Sequence, residues 1–555
     1  FFGGAQLTCL GTFIFSVVKQ MSRFNTTRVT IRPEVQTDYS PGGTKLVKFF
    51  IPPSLGFIDT QDLVLRSSLK FGGDSAQLGV FRPNPRAGIS SLLRSVTIRS
   101  GNNECTLEDL QGYNGLCAAT LGYEANDSIR AIRAMTEGFD PGNKIAKDSL
   151  FYTDLGDWTA AEITTRQTAK TIMTEVPFHR SGILGSGKTF PVAATGGLRV
   201  ELELDDLART LVPYTGAVEA QFVKDAAGAT SIAANGVEKA DDTAVFTFTV
   251  DASARDALTW RVGTKLYFKN VDNVTRDVGN ITKLTMDTTQ LQVTVMLGVA
   301  AAAVGGFWPP APIDVATKFF AKIDDQLNGY TTPFQAGGVP VTTPGVSYTL
   351  SNLELVLNRV TPPEGYVKAM MSKVGSSSGL SIDYRTFTLY RNNLAGMDGM
   401  ISQSISAKNP LAYSILSTPY DQAKYSTAGD DNFAPALDGL QEYQYMIHDE
   451  ATPNRAVQMK RLSTRTPPQP EMLHLRELEK ALENSGIDVR NLQRSVGRVS
   501  IGRALSTQGQ VADLSVGDIR LQTLYSGARS AKQFDNNVCY CATMTVKDGV
   551  VSVRR

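Results

Sequence analysis

Short runs in which apolar and polar residues alternate recur along most of the chain. The plainest covers residues 198–204, LRVELEL, in which every second residue is leucine or valine. This period of two is typical of a strand with one buried face, because successive side chains point to opposite faces of a sheet. Similar runs predict further strands at residues 44–53, 63–71, 171–178 and 348–357.

Helical periodicity is confined to short segments. Residues 471–484 place Met472, Leu475, Leu478 and Leu482 on one face, and Gly486 follows where a helix could end. Residues 92–117 predict a strand around Val96 and Ile98, a Gly-Asn-Asn turn, and a helix-like stretch through Leu107, Leu110 and Leu116. Since 48 glycines and 25 prolines are spread along the chain, we expect an all-β protein with short helices.

Shifts in composition divide the chain. We expect a polar N-terminal arm at residues 21–43, a first β unit at 44–210 and a second β unit at 331–555 that contains the helix at 471–484. Residues 211–330 are rich in alanine, threonine and valine and contain their own alternating runs. This stretch predicts an inserted β module.

Composition limits the function classes. The 555 residues are long enough for several domains, and the net charge of +1 provides no overall field that would attract nucleic acid or an anionic membrane. Five cysteines are too few for a disulfide framework and indicate folding in a reducing compartment. Cys539 and Cys541 lack the spacing of a zinc site, and no other metal motif occurs.

The first residues have an unusual composition. Residues 1–18 carry no charge, and the chain begins with two phenylalanines. Leu10–Val18 is too short to span a bilayer, so we expect no membrane insertion. We interpret residues 1–20 as an upstream or non-native segment, with a short interfacial anchor as the alternative.

A literal phosphate-loop pattern, G-x-x-x-x-G-K-[ST], occurs at residues 182–189. Gly182, Gly187, Lys188 and Thr189 fill its defined positions. Such a loop binds phosphate because a helix follows it and directs free backbone N–H groups at the ligand. Here Pro191 and the Gly196-Gly197 pair follow, and then the strand at 198–204. We therefore interpret the run as a chance match on a turn between strands and predict no cofactor.

Other candidate chemistry is equally weak. Gly375–Gly379 fits the G-x-S-x-G pattern of a hydrolase nucleophile, but a predicted helix precedes it and a predicted strand follows, the reverse of the required order. His179, His448 and His474 are the only histidines and have no partner at motif spacing. We therefore predict no catalytic and no metal-binding residues. Basic residues at Arg490, Arg494, Arg498 and Arg503 are expected on a solvated face or subunit contact, with phosphate contact as the alternative.

An ordered set of segments resembles the double jelly-roll major capsid proteins of virophages, polinton-like viruses and nucleocytoplasmic large DNA viruses. The matching segments, scattered over most of residues 45–530, are Leu92–Cys117 with its LEDLQGYN, Ser181–Gly185 with Phe190-Pro191 and 197–202, Tyr348–Val360, Tyr443–Tyr445 with Pro453, and the helix at 471–484. In this family Tyr348–Val360 would open the second jelly roll. The insert at 211–330 is absent from the family's shorter members.

The resemblance implies a fold and a role. Each chain would form two eight-stranded antiparallel sandwiches, and three chains would form a pseudo-hexameric homotrimer that tiles an icosahedral shell in the virion. Neighbouring capsomers, penton proteins and minor capsid proteins would be its partners, with no catalysis and no specific nucleic acid. The insert is then a candidate surface tower that could bind a host receptor or glycan.

Two other functions remain open at this point. One is a different β-sandwich binding protein, such as a spike or adhesin. The other is an ATPase that uses Lys188.

Overall fold

A computed structural model of the chain describes residues 25–73, 81–124, 127–139, 171–206, 210–213, 220–222, 238–240, 243–249, 265–269, 275–286, 290–297, 318–322, 346–422, 433, 435–436, 439–459, 472–490, 500–505, 512–515 and 519–555. Predictions for residues 1–20 lie outside this part of the chain.

Strands dominate the described residues. The first ten are β1 (Asn25–Ile31), β2 (Leu46–Ile51), β3 (Phe57–Gly73), β4 (Phe81–Pro83), β5 (Leu93–Ser100), β6 (Thr106–Gln111), β7 (Thr171–Pro177), β8 (Thr189–Phe190), β9 (Leu198–Leu204) and β10 (Leu211–Pro213). The next seven are β11 (Ala220–Phe222), β12 (Glu238–Ala240), β13 (Thr243–Thr249), β14 (Lys265–Lys269), β15 (Thr275–Met286), β16 (Gln290–Leu297) and β17 (Lys318–Lys322). The last ten are β18 (Val346–Thr361), β19 (Leu380–Leu394), β20 (Met397–Ile405), β21 (Ala412–Asp421), β22 (Leu440–Ile447), β23 (Glu450–Gln458), β24 (Ile501–Ala504), β25 (Ile519–Arg529), β26 (Lys532–Lys547) and β27 (Val550–Arg554).

Helices are few and short. The α-helices in the described residues are α1 (Tyr113–Glu124), α2 (Asp127–Thr136), α3 (Glu364–Val374) and α4 (Met472–Asn484). The predicted helix at 471–484 is thus confirmed as α4. The helix-like stretch predicted through Leu107 and Leu110 is wrong, because Thr106–Gln111 is strand β6 and the helix begins only at Tyr113.

The first sandwich is an eight-stranded jelly roll. One of its sheets has the order β1-β18-β3-β7 and the other β2-β9-β5-β6, with all neighbours antiparallel. When its eight strands are lettered B to I along the chain, these orders are B-I-D-G and C-H-E-F. That interleaving of two four-stranded sheets is the jelly-roll arrangement.

The second sandwich repeats the same arrangement. Its sheets have the orders β19-β26-β21-β24 and β20-β25-β22-β23, again B-I-D-G and C-H-E-F. Buried residues of both sheets, including Tyr443, Tyr445, Phe534 and Val538, form the core between them. The predicted double jelly roll is therefore confirmed by strand order.

Two predicted boundaries are wrong. Val346–Thr361 does not open the second roll, because it pairs with β3 and β1 as strand I of the first. The segment predicted as an arm contains β1, which pairs with residues 355–361, and Tyr39, which is fully buried. The first roll thus extends from Asn25 to Thr361 and the second from Leu380. Alternation identified the strand at 348–357, but a single strand's pattern does not identify its partner.

The strands between Ala220 and Lys322 form a separate sheet, inserted between strands H and I of the first roll. Its order is β11-β17-β14-β15-β16-β13-β12, and β11 also pairs with β13. That extra pairing closes six strands into a small barrel, in which Ile281, Val293 and Val295 are buried. Closure leaves fewer free strand edges in this sheet.

The two ends of the first roll differ. Because consecutive strands run in opposite directions, the B–C, D–E, F–G and H–I connections lie at one end, which we call the insert end. The other end, the turn end, carries the C–D, E–F and G–H connections at residues 52–56, 101–105 and 178–197. The barrel therefore lies at the end opposite these turns.

Candidate functional site

The phosphate-loop-like turn, residues 182–189, lies at the turn end of the first roll. Its residues form turns that lead into the two-residue strand β8, and further turns lead from there into β9. Within residues 178–206 no helix follows the glycines, so the structural context that phosphate binding requires is missing. The predicted position, on a connection between strands, is confirmed.

The backbone N–H groups at the start of this turn already have acceptors. The N–H groups of Gly182 and Ile183 donate to the carboxylate of Glu108, over 2.7 and 3.4 Å. Leu184 N–H donates to Ser181 Oγ over 2.9 Å, and Lys188 N–H donates to Thr60 Oγ1 over 3.0 Å. These groups are thus bonded within the protein rather than directed at a ligand.

Glu108 links the two jelly rolls. Ser181 Oγ donates to its Oε2, and Thr386 Oγ1, from β19 of the second roll, donates to its Oε1 over 2.7 Å. The residue is only 1% exposed. Burial raises the pKa of its carboxyl group, although the hydrogen bonds from Ser181, Thr386, Gly182 and Ile183 oppose that rise. Glu108 was not among the residues that the sequence singled out.

Gly182 is required where the two rolls meet. A Cβ atom at Gly182 would lie 1.9 Å from the carbonyl oxygen of Arg385 in β19, and one at Gly185 would lie 2.0 Å from that of Phe178. Gly187 instead has open space around it and a φ of 65°. The first two glycines therefore permit close packing, and the third permits the turn.

We expect Gly182→Ala to destabilise the protein by about 1–3 kcal/mol or more, because the methyl group would overlap a backbone atom across the junction. Gly187→Ala is the matched control and should cost only about 1 kcal/mol, from the left-handed backbone alone. Chemical denaturation of both variants measures the difference. Equal losses would contradict the close approach at Gly182.

Lys188 and Thr189 are exposed at the tip of the turn. The backbone of Lys188 is fixed by Thr60, whose Oγ1 donates to the Lys188 carbonyl oxygen over 2.8 Å. The side chain of Lys188 is exposed, as expected for a residue on a turn between strands.

The second rejected motif has the order expected for a plain turn. Gly375–Gly379 follows α3 and precedes β19, so a helix comes before the serine and a strand after it. Gly379 has a φ of 68°. The order is the reverse of a nucleophile elbow, as predicted.

The histidines have partners that sequence spacing did not reveal. His179 Nε2 lies 2.7 Å from Glu137 Oε2, although the two residues are 42 positions apart. His474 is fully buried on α4, with Nδ1 3.4 Å from the hydroxyl of Tyr443, and His448 is exposed in the turn after β22. Glu137 is too far along the sequence for a motif to reveal it, so the expectation that no partner lies at motif spacing holds while a distant carboxylate does contact His179.

His179 lies at the end of a buried chain of side chains in which two arginines alternate with two glutamates. Arg180 Nη1 lies 2.8 Å from Glu124 Oε1, and Arg133 lies between Glu124 at 3.5 Å and Glu137 at 3.8 Å. All five side chains are less than a fifth exposed. Burial raises the pKa of Glu124, but the charge and hydrogen bond of Arg180 lower it more, and the net shift is downward. This charge chain fastens α1 and α2 to the segment before the phosphate-loop-like turn.

Stability should fall on acidification because His474 is buried. Burial lowers its pKa to about 4, below the value near 6.5 of an unfolded chain. The unfolded state therefore binds a proton first, and stability is lost as the pH falls from about 6.5 to 4, by on the order of 3 kcal/mol in total. In His474→Gln, the free energy of unfolding should not show this decrease between about pH 6.5 and 4. The matched control is His448→Gln, at an exposed histidine, and it should retain the slope. An unchanged slope in His474→Gln would contradict this assignment.

The C-terminal hairpin of the second roll clasps the first. The side-chain amides of Asn102 and Asn103 donate to the carbonyl oxygens of Gly549 and Val551, over 2.9 and 2.8 Å. Arg555 Nη2 donates to the Thr106 carbonyl oxygen over 2.8 Å. These contacts join the E–F turn of the first roll to the turn between β26 and β27. Together with Glu108 they fix the rolls side by side.

Cysteines 105, 117, 539 and 541 are free thiols, while Cys9 lies outside the described residues. Burial raises the pKa of both Cys117 and Cys539 to about 12, which keeps these thiols protonated. The described residues contain no group of three or more histidine, cysteine or acidic residues that could hold a metal ion. Among them, no helix is long and apolar enough to cross a membrane.

The predicted basic face is divided by the structure. Arg490 pairs with Asp488 at the surface, whereas Arg503 forms a largely buried ion pair with Glu477 of α4. Arg494 and Arg498 lie outside the described residues. Arg490 and Arg503 therefore do not belong to one basic face.

Comparison with known proteins gives structural likenesses only. No protein-family model and no curated protein matches the sequence. Solved structures with a similar course of the chain include the Faustovirus major capsid protein, at 8% identity and a TM-score of 0.47, covering 95% of this chain and 91% of that one. VP54 of PBCV-1, fitted into a reconstruction of the virophage Sputnik, is 9% identical with a TM-score of 0.45, covering 96% and 98%. The mavirus major capsid protein is 11% identical with a TM-score of 0.35, covering 96% and 92%. The strand order itself, and not these distant likenesses, carries the assignment of the fold.

Proposed function

We propose that this chain is a viral major capsid protein, a structural component of the virion that uses no catalytic residue. The observation that carries the proposal is the pair of complete jelly rolls, held side by side by buried contacts. Three such chains contain six sandwiches, and a homotrimer of them has the pseudo-hexagonal outline that tiles an icosahedral shell. Neighbouring capsomers, penton proteins and minor capsid proteins are then its partners.

Negative-stain imaging with size-exclusion chromatography and light scattering tests this role. The expected particle is a compact trimer with a hexagonal outline. An elongated monomer would favour the alternative of a spike or adhesin and would exclude the shell.

Assembly inside the host cell, in a reducing compartment, fits the thiols. Cys117 and Cys539 are buried and free, and neither has the exposure that disulfide exchange requires. Oxidising conditions should therefore leave the thiols of Cys117 and Cys539 unmodified.

Nucleotide binding tests the ATPase alternative. Because the amides of Gly182, Ile183 and Lys188 are bonded within the protein, we expect no saturable ATP binding at millimolar nucleotide, with or without Mg²⁺. Isothermal titration of the intact protein and of Lys188→Ala should give the same blank result. Tight binding that disappears in Lys188→Ala would refute the structural role of this turn.

The inserted barrel is proposed as a tower on the outer surface of the shell. It leaves the first roll at the insert end, opposite the turn end where the C-terminal hairpin contacts Asn102 and Asn103. A density map of assembled shells locates it directly. Barrel density on the inner face would overturn the placement.

A further inference from the structure

The two jelly rolls meet through one edge strand of each. Strand F of the first roll, β6, lies against strand B of the second roll, β19. Thr386 Oγ1 of β19 donates to Glu108 Oε1 of β6 over 2.7 Å. Further towards the insert end, a Cβ atom at Gly112, directly after β6, would lie 2.6 Å from Leu389 Cδ2 of β19. The two strands therefore run side by side from the turn end, and later residues of one lie beside later residues of the other.

The corresponding strands at the other two edges, β1 and β23, are much more exposed. β1 is strand B of the first roll and β23 is strand F of the second, and within the described residues each pairs with a single strand, β18 and β22. One of six residues is exposed in β6, but four of nine are exposed in β23. β19 contains three buried residues, whereas β1 contains none and exposes five of its seven. The same two kinds of edge are thus covered where the rolls meet and uncovered on the far side of each roll.

Charges of opposite sign follow a matching order along the two uncovered edges. Counted from the turn end, Arg28 of β1 comes before Glu34, and Glu450 of β23 comes before Arg455. All four residues are exposed. In a contact like that of β19 with β6, Arg28 would lie at the level of Glu450, and Glu34 at the level of Arg455. The two edges are therefore complementary in charge at both levels.

Two neighbouring charges already have partners and do not disturb this match. Arg32 Nε lies 3.7 Å from Glu354 Oε1, and Asp449 Oδ1 lies 3.0 Å from Arg520 Nη2. Val35, which is 62% exposed, adds apolar area next to the first edge. Exposed edge strands promote association, and proteins usually cover or blunt them. A specific partner would cover both edges here.

We propose that β1 of one copy of this chain docks against β23 of a second copy, in the arrangement that β19 and β6 adopt within one chain. The internal contact joins two rolls of the same strand order, so the partner that fits the uncovered edges is another roll of this kind. A head-to-tail contact of this type generates a ring when its rotation closes. The inference rests on the proposed capsid role, in which three chains form one ring with contacts alternately within and between chains.

The test uses the full-length protein and measures trimer dissociation by analytical ultracentrifugation over a dilution series at low salt. The first edge variant is Arg28→Glu with Glu34→Lys, and the second is Glu450→Lys with Arg455→Glu. Each keeps the net charge but places like charges opposite each other, so the concentration at which trimers dissociate should rise at least about tenfold. The combined variant, with all four changes, restores opposite charges and should return to within about threefold of the unmodified protein.

Arg94→Glu with Glu203→Arg is the matched control. These residues form an exposed pair, 3.3 Å apart, on the outer face of the sheet β2-β9-β5-β6, and exchanging them also keeps the net charge. Trimer dissociation should stay within about twofold of the unmodified protein. Thermal unfolding identifies any variant that fails to fold. Recovery in the combined variant shows that the loss in either edge variant comes from opposed charges.

Two results would overturn the edge contact. One is a trimer that neither edge variant weakens more than the control does. The other is a combined variant that associates no better than the edge variants. With a hexagonal trimer, either result removes the edge contact and leaves the capsid role intact. An open chain or a larger ring that loses and regains association through the same variants keeps the edge contact and removes the capsid role. An unmodified protein that is monomeric at every concentration removes both.

Discussion

Glu108→Ala is expected to destabilise the protein by about 3–5 kcal/mol and to separate the unfolding of the two jelly rolls. Its carboxylate accepts hydrogen bonds from Ser181, Gly182, Ile183 and Thr386, and the alanine would leave these donors buried without an acceptor. Each buried unsatisfied donor costs about 1–3 kcal/mol before relaxation. Because Thr386 belongs to the second roll, part of the lost stability is a weaker contact between the two rolls.

The glutamine variant separates charge from hydrogen bonding. Burial raises the pKa of Glu108, so the native fold disfavours the ionised form, and this contribution to stability increases as the pH falls. Glu108→Gln removes the charge but turns one acceptor into a donor that faces other donors. We therefore expect an intermediate loss of about 1–2 kcal/mol.

Asp109, the next residue on β6, provides the matched control. Its carboxylate accepts hydrogen bonds from Thr97 and Gln111 but is half-exposed. Asp109→Ala should cost no more than about 1 kcal/mol. Calorimetry of the three variants reports both the loss and the number of transitions. If Glu108→Ala matched Asp109→Ala and unfolded in one transition, Glu108 would not be the link between the rolls.

The sequence was enough to find most strands but not their partners. The alternation at 198–204 and 348–357 reflects one buried face, and both runs are strands, β9 and β18. Strand β1 was missed because five of its seven residues, Asn25–Arg28 and Thr30, are exposed and none is fully buried, so no buried face marks it in the sequence. The partner of β18 was missed because the inserted barrel separates it from the rest of its sheet.

The junction could not be predicted for a different reason. Glu108 sits in TLEDLQ, where it resembles an ordinary charged residue, and its partners are 73 or more positions away. The phosphate-loop-like turn was read correctly as a connection, because the residues after it exclude a helix. The close approach of Gly182 to Arg385 of β19 depends on a strand of the other roll, which no local pattern in the sequence indicates.

Arg180→Met should destabilise the first roll by about 3–5 kcal/mol, because it leaves Glu124 buried and without its closest cation. Arg180 is 7% exposed, and its Nε and Nη1 donate to Thr120 and Glu124, over 2.7 and 2.8 Å. The same contacts hold α1 and α2, which lie in the F–G connection. Their loss should therefore loosen the insert end as well as lower the free energy of unfolding.

A double-mutant cycle identifies the pair as the source. Adding Glu124→Leu to Arg180→Met removes the unpaired charge and should recover a large part of the lost stability. Replacing both members of a buried ion pair by apolar residues often changes the free energy of unfolding little. Arg490→Met, at an exposed pair with Asp488, is the control and should stay within about 0.5 kcal/mol of the unmodified protein. The contrary result is additivity, in which the double variant loses as much free energy of unfolding as Arg180→Met and Glu124→Leu lose together. The two side chains would then act independently. Lost packing of the arginine stem, and not an uncompensated charge, would then account for the effect.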